Sequence, residues 1–299
     1  MSMERFRIAV DRNDILGAIL AIKQIEDINK KYGLLAGKTP LIYATSIGSV
    51  SIIESLIEHG ADINTRDEHG CTALQKVCLY GHIDVVKLLL RAGADVEIKD
   101  DFECTALYHA STNGHIDIVK LLLKAKAKAY VTTCNGWTAL HGASSNGHTK
   151  IAQLLLQQLC VDIDSKDVLG GTALLRATMP GNTDVMQLLL QNGANINAEN
   201  VYGRTAIVEA SYAGVKPDVI RLLLEYGCDV NIADKAGKTA LHRACEEGRG
   251  KLIPILLKNG ADTEAVDVDG CTPIQIAERS NHKDIVDLLL AHEVKTIKV

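Results

Sequence analysis

The stretch 67–96, DEHGCTALQKVCLYGHIDVVKLLLRAGADV, decides the fold. Asp67 to Gly70 reads as a turn, because Gly takes a positive φ without strain. Thr72 suits the N-cap of a short helix, its hydroxyl accepting from a backbone N–H of the first turn. That helix carries Ala73, Leu74 and Val77 on one face. Gly81 breaks it, and Asp84 complements the positive end of the helix that follows. The second helix contains VVKLLL and ends at Gly93, where a left-handed residue is expected.

The same phrase returns along the chain. Thr recurs at 39, 72, 105, 138, 172, 205, 239 and 272, at gaps of 33 or 34 residues. These open TPLIYA, TALQKV, TALYHA, TALHGA, TALLRA, TAIVEA, TALHRA and TPIQIA. VVKLLL returns as IVKLLL (118–123), IAQLLL (151–156), VMQLLL (185–190), VIRLLL (219–224) and IVDLLL (285–290). Such a period signifies one folding unit copied in series. Five apolar positions in six are too many for a narrow amphipathic stripe, so each second helix needs cover on more than one side. Neighbouring copies supply it, and a lone copy could not bury its leucines.

The 33-residue period, the T-[PA]-L-x-x-A phrase, the xGH break, the ΦΦxLLL helix and the GAD[VI]N turn resemble the ankyrin repeat over residues 35–291. The resemblance implies an all-α solenoid of stacked helix–turn–helix units with short β-hairpin loops, or fingers. It also implies a concave side of fingers and first helices that binds protein partners. The expected organisation is one continuous solenoid domain: residues 1–34 as a degenerate N-terminal capping repeat, eight repeats over 35–291, and a C-terminal tail at 292–299. In the cap, RFRIAV and ILGAILAIKQIEDIN suggest a helix pair broken at Asn13-Asp14, with Arg5, Arg7, Asp11 and Arg12 giving it a polar outer face. Residues 293–299 are expected to fray.

Departures from the pattern are few. Extra residues near Leu159–Val161 and within 212–218 lengthen loops at little cost. Pro217 suits the first turn of its helix. Pro254 lies deeper and should kink or shorten its helix. Lys126 replaces the usual Gly, and must accept a left-handed conformation or alter the turn.

Apolar residues make up 47% of the 299-residue chain and charged residues 23%, enough of each for a continuous core and a soluble surface. A net charge of -5 does not favour polyanions, so nucleic acid is not an expected partner. No apolar run approaches the ~20 residues of a membrane span, and none is expected to insert. The opening MSMERFRIAVDRND carries charges within its apolar stretch, unlike a secretory signal. Eight scattered Cys fit a reducing compartment, so the expected location is intracellular, in the cytoplasm or the nucleus. Cys71 and Cys104 precede the phrase Thr in adjacent fingers. Neighbouring copies lie ~8–10 Å apart, beyond the ~7 Å disulfide limit. Cys78 and Cys245 read as small buried fillers. His141 and His242 in the phrase, and His82, His115, His148 and His282 after the break, read as structural imidazoles bonded to loops. No CxxC or HxxxH spacing suggests zinc, no Gly-rich loop suggests phosphate, and no G-x-S-x-G elbow is present. No enzyme, metal or cofactor is expected.

In the ankyrin family, partners meet the finger residues before the Thr and the end of the first helix. The chain has two Phe and one Trp, and Phe102 and Trp137 fall on those positions. With His69, Leu79, Tyr80, Leu169, Met179, Val201, Tyr202 and Tyr212 they form the expected partner-binding set. Aromatic and Met side chains are what interface cores and hot spots use. The alternative is that these side chains fold down onto their own neighbours. Lys235, Lys238, Glu246, Glu247 and Arg249 would flank the set as a polar rim. Asn64, Asn197 and Asn231, each with Leu eight residues earlier, are similar to ankyrin asparagines hydroxylated by a dioxygenase, though Asn also satisfies turn backbones. Ile297-Lys298-Val299 resembles a ligand for PDZ domains. The expected function is a non-enzymatic protein–protein interaction module, monomeric alone, that binds another protein as an adaptor, scaffold or masking inhibitor. The competing reading is a substrate-recruiting or regulatory subunit of a larger enzyme complex.

Overall fold

The computed structural model describes residues 2–35 and 37–297. The unit read from 67–96 appears residue by residue. Thr72 is extended, its hydroxyl accepts from the Gln75 N–H at 3.3 Å, and Gln75 Oε1 accepts from the Thr72 N–H at 2.7 Å. This reciprocal box satisfies two N–H groups that a helix start leaves without partners. The helix Ala73–Tyr80 ends at Gly81 with φ 85°, and the helix Ile83–Arg91 follows, with Asp84 in its first turn. Gly93 closes it at φ 90°. Thr39, Thr105, Thr172 and Thr239 cap their helices through the hydroxyl as well. Thr205 keeps the extended backbone, but its hydroxyl makes no capping bond.

The chain forms two compact units: residues 1–142 with 157–161, and residues 143–156 with 162–299. In the first, Ala73–Tyr80 packs on the first helix of the next copy, Ala106–Thr112, and Ile83–Arg91 packs on the second, Ile116–Lys124. In the second unit, first helices Ala173–Thr178, Ala206–Ala213, Ala240–Glu246 and Pro273–Arg279 touch in chain order. So do second helices Thr183–Gln191, Pro217–Glu225, Ile253–Lys258 and Lys283–Ile297. The ΦΦxLLL helices are covered on two sides, as their composition requires. Val85, Val86 and Leu89 are fully buried, while Leu88 and Leu90 are half-buried. On the last helix Ile285 and Leu289 are buried, but Leu288 and Leu290 are exposed.

Several expectations need adjustment. The fingers are tight turns closed by a pair of backbone bonds, such as the Asp67 N–H to the Cys71 carbonyl and the Gly70 N–H to the Asp67 carbonyl, rather than strand ladders: among the described residues the one bridge is Tyr32 with Lys38. The N-terminal pair forms, as Ser2–Asp11 and Ile15–Ile22, and buries Phe6, Val10 and Ile22. Its outer face is only partly the polar one expected. Arg5, Asp11 and Arg12 are exposed, but so are Leu16 (75%) and Leu20 (62%). The final helix runs to Ile297, so residues 293–297 are helical rather than frayed. Lys298 and Val299 of the suggested PDZ ligand lie outside the described residues. Pro254 shortens its helix: Ile253–Lys258 starts just before the proline and spans 6 residues, against 9 for Pro217–Glu225. Lys126 takes the left-handed conformation, φ 68°. Leu159, in the lengthened loop, is fully exposed.

Candidate partner-binding surface

Five fingers are organised by one buried Asp, five residues before the phrase Thr: Asp67, Asp100, Asp167, Asp234 and Asp267. Asp67 Oδ1 accepts from the N–H groups of His69 and Cys71, both at 2.9 Å, and the Asp67 N–H donates to the Cys71 carbonyl. In the first four of these the other carboxylate oxygen faces a basic side chain nine residues later, on the first helix of the same copy, whereas the residue nine after Asp267 is Ile276. Lys76 Nζ lies 3.1 Å from Asp67, His109 Nε2 2.9 Å from Asp100, Arg176 Nε 2.6 Å from Asp167 and Arg243 Nε 3.0 Å from Asp234. Burial pushes the Asp67 carboxyl up, but the Cys71 N–H, Lys76 and the His69 N–H outweigh it and hold it below the usual carboxylate range. Where the finger residue is Thr133 or Asn200, the helix position holds Gly142 or Glu209 and the pair is gone. Arg204 then lies 3.5 Å from Glu209 and 3.6 Å from Asp234 of the next finger. Sequence reading missed these pairs, although Asp followed nine residues later by Lys, His or Arg was there to be seen.

The pair at Asp100 differs from the others in its surroundings. Ligand atoms of Asp100, Cys104 and His109 lie within 4.8 Å of one another. Cys71 Sγ stands 3.7 Å from Asp100 Oδ2. Burial, and then the Asp100 charge, push the Cys104 thiol up to about 12.

Adjacent fingers are joined by backbone, which frees side chains at the predicted contact positions. Within the first unit the Asp101 N–H donates to the His69 carbonyl and the Cys134 N–H to that of Phe102. In the second, Val201 donates to Leu169 and Lys235 to Tyr202. The side chains of His69, Phe102, Leu169, Val201 and Tyr202 are all exposed, Phe102 at 64%. Tyr80 is exposed too, and Leu79 is half-buried with its carbonyl accepting from His115 Nε2 at 3.2 Å. Trp137 does not stand free: it is half-buried, with its indole 6.2 Å from the His141 ring.

The second unit brings four of the predicted residues together. Leu169, Met179 and Tyr202 border a hollow of about 190 Å³, with Leu175, Arg176, Asn200 and Glu209 also lining it. Tyr212 joins through Arg204, whose guanidinium lies 4.4 Å from the Tyr212 ring and 5.6 Å from the Tyr202 ring. Arg243 approaches Tyr212 at 5.7 Å. The result is an apolar dimple beside a stacked guanidinium, a form suited to an apolar anchor side chain with a polar neighbour.

A family model described as "Ankyrin repeats (3 copies)" matches residues 6–100, 92–167, 156–234 and 209–298. The chain belongs to the ankyrin-repeat family. The first match begins inside Ser2–Asp11, so the degenerate opening pair lies within the ankyrin array. Two relatives share short stretches. The chain is 44% identical over 45 residues to the potassium channel AKT3 of Oryza sativa subsp. japonica, covering 15% of this chain and 5% of that protein. It is 38% identical over 69 residues to the E3 ubiquitin-protein ligase XBAT33 of Arabidopsis thaliana, covering 22% of this chain and 14% of the ligase.

Ankyrin repeats mediate protein–protein interactions, and this array places its remaining predicted sites as follows. Asn64 Oδ1 accepts from the Asp95 N–H at 2.9 Å, and Asn231 Oδ1 accepts from the Asp262 N–H at 2.9 Å. Both thus couple one ankyrin copy to the next, a place taken by Glu97 and Asp164 in other copies. Asn197 is exposed, and its N–H donates to Asn195 Oδ1 at 3.0 Å. His242 acts in a capping box, its Nδ1 accepting from the Thr239 N–H at 3.2 Å while Nε2 donates to the Cys271 carbonyl. Cys78 and Cys245 are fully buried. Among the described residues, no helix is long and apolar enough to cross a membrane.

Proposed function

We propose that this ankyrin array is a non-enzymatic binding module that holds a partner protein against the Leu169–Met179–Tyr202–Tyr212 face of its second unit. The observation that carries the reading is the hollow bordered by Leu169, Met179 and Tyr202, with Arg204 stacked on the two tyrosines beside it. An apolar side chain of the partner enters the hollow and loses its contact with water. Arg204 and Arg176 are held by carboxylates, so they offer hydrogen-bond donors with little rotamer freedom left to lose. The module works as an adaptor or scaffold, or masks its partner. A second reading, recruitment of a substrate to a larger enzyme, draws support from the stretch shared with a ubiquitin ligase.

The test uses a photoreactive residue at position 179 to capture the partner in cell extract, followed by affinity measurement with the purified pair. Tyr202→Ala should weaken binding by ~2 kcal/mol, about thirtyfold. The melting temperature should hold, since an exposed substitution of this kind shifts stability by only ~0.5 kcal/mol. Equal affinity of Tyr202→Ala and the parent would remove the second-unit face as the docking site. Trp137→Ala, at a half-buried position of the first unit, asks whether contact extends there.

A further inference from the structure

The fingers at 67–71 and 100–104 bring together a set of donors found nowhere else among the described residues. In three sibling copies the finger carboxylate is neutralised by an ammonium or a guanidinium, on Lys76, Arg176 or Arg243. Neither group offers a lone pair to a cation. In the 100-finger the same place is taken by an imidazole, His109, which does. The residue before the phrase Thr is Cys in two successive copies only here, at Cys71 and Cys104. Both thiols are buried, and both face the Asp100 carboxylate or its neighbours. Asp100, Cys104 and His109 hold their ligand atoms within 4.8 Å of one another, with His109 Nε2 2.9 Å from Asp100 Oδ2, and Cys71 Sγ adjoins this trio, 3.7 Å from the same Oδ2.

We infer that Cys71, Cys104, Asp100 and His109 form a four-coordinate site for one zinc-like divalent cation that ties two adjacent fingers together. Two sulfurs, one imidazole nitrogen and one carboxylate oxygen form a donor set that suits tetrahedral Zn(II). Asp100 Oδ1 is already held by the N–H groups of Phe102 and Cys104, at 3.0 and 2.8 Å, which orients Oδ2 toward the cluster. On binding, each thiol gives its proton to solvent, and His109 coordinates through Nε2 as the Nδ1–H tautomer. The two thiolates and the carboxylate leave the site with one net negative charge. Lys76, whose ammonium interacts with Cys71 as well as Asp67, lies beside it to compensate. Because uptake releases protons, affinity rises with pH. The Asp-x3-Cys-x4-His spacing, with its fourth donor one repeat upstream, falls outside the paired-cysteine patterns by which zinc sites are read from sequence.

The experiment titrates the full chain, freed of metal, with Zn(II) against a chromophoric chelator, and with Co(II) for its thiolate-to-metal charge-transfer band. The expected result is one Zn(II) per chain and a Co(II) band whose intensity falls on Cys71→Ser and again on Cys104→Ser. His109→Lys is the decisive variant. It installs the lysine that the preceding copy pairs with its finger Asp, as Lys76 with Asp67, so the fold should survive by circular dichroism while affinity drops at least ~10-fold. Cys245→Ser, a buried thiol on another helix, should bind as the parent does. The proposal is overturned if the parent takes up no stoichiometric Zn(II), or if His109→Lys binds as tightly as the parent. Loss on Cys134→Ser with retention on Cys71→Ser would equally overturn this set of four.

Discussion

At the residue scale, buried polar groups on the first helices tie stability to the partners that satisfy them. His242 is fully buried, and burial depresses its basicity despite the Cys271 carbonyl. Its folded pKa lies below the unfolded value near 6.5, so the unfolded chain takes up a proton first. The stability it contributes is therefore present above about pH 6.5 and is lost as pH falls toward the folded value. Gln occupies the same capping position at Gln75 and Gln275 and does not titrate. His242→Gln should flatten the urea midpoint between pH 7.5 and 5, where the parent loses up to about 1.4 kcal/mol per pH unit. An unchanged slope would show that His242 is not the group responsible. Arg243 makes a different point. It is buried against Asp234 and also bonds Glu246 at 2.9 Å, so Arg243→Ala leaves the buried Asp234 carboxylate with only the more distant Arg204, at 3.6 Å, as a cationic neighbour. A loss of about 3 kcal/mol is expected in denaturant titrations. Asp234→Asn with Arg243→Met should recover part of it, since no charge is then stranded.

At the element scale, helix ends decide how well a copy closes. Five second helices are followed by Gly60, Gly93, Gly193, Gly227 or Gly260 at φ between 75° and 87°, or 90° for Gly93, while Lys126 holds the same place at φ 68°. A side chain in this conformation costs roughly 1–2 kcal/mol, and Gly gives back part of that in unfolded-state entropy. Lys126→Gly should therefore raise stability by up to about 1 kcal/mol, read from the urea midpoint. A drop would show that the Lys126 stem packs usefully. These ends were legible in the sequence because caps and left-handed glycines act within a few residues of themselves. The late start of Ile253–Lys258 was legible for the same reason, through Pro254. Legibility failed where an answer depends on another copy. Whether Asn64 is available turns on the Asp95 N–H of the next copy. The Asp100 cluster was missed because its members are spread over 39 residues, from Cys71 to His109.

At the scale of the whole molecule, stability is a sum of copy and neighbour contributions. Leu223 is fully buried in Pro217–Glu225, and Leu223→Ala should cost about 2–5 kcal/mol. Hydrogen exchange should report the loss at helices of the second unit, while Ile83–Arg91 and Ile116–Lys124 of the first keep their protection. A uniform drop across both units would mean that they open as one. The finger pairs bear on how such a chain changes over generations. Asp234 and Arg243 belong to one copy, whereas finger joins finger within a unit through main-chain amides that any residue provides. A duplicated or deleted copy carries its own lock with it and meets its new neighbour's finger through main-chain amides, leaving only a few side-chain links, such as Arg66 to Asp101 or Arg204 to Asp234, to be remade. Copy number can drift while the fingertips diversify, and lineage after lineage can retune what the array grips without redesigning how it stands.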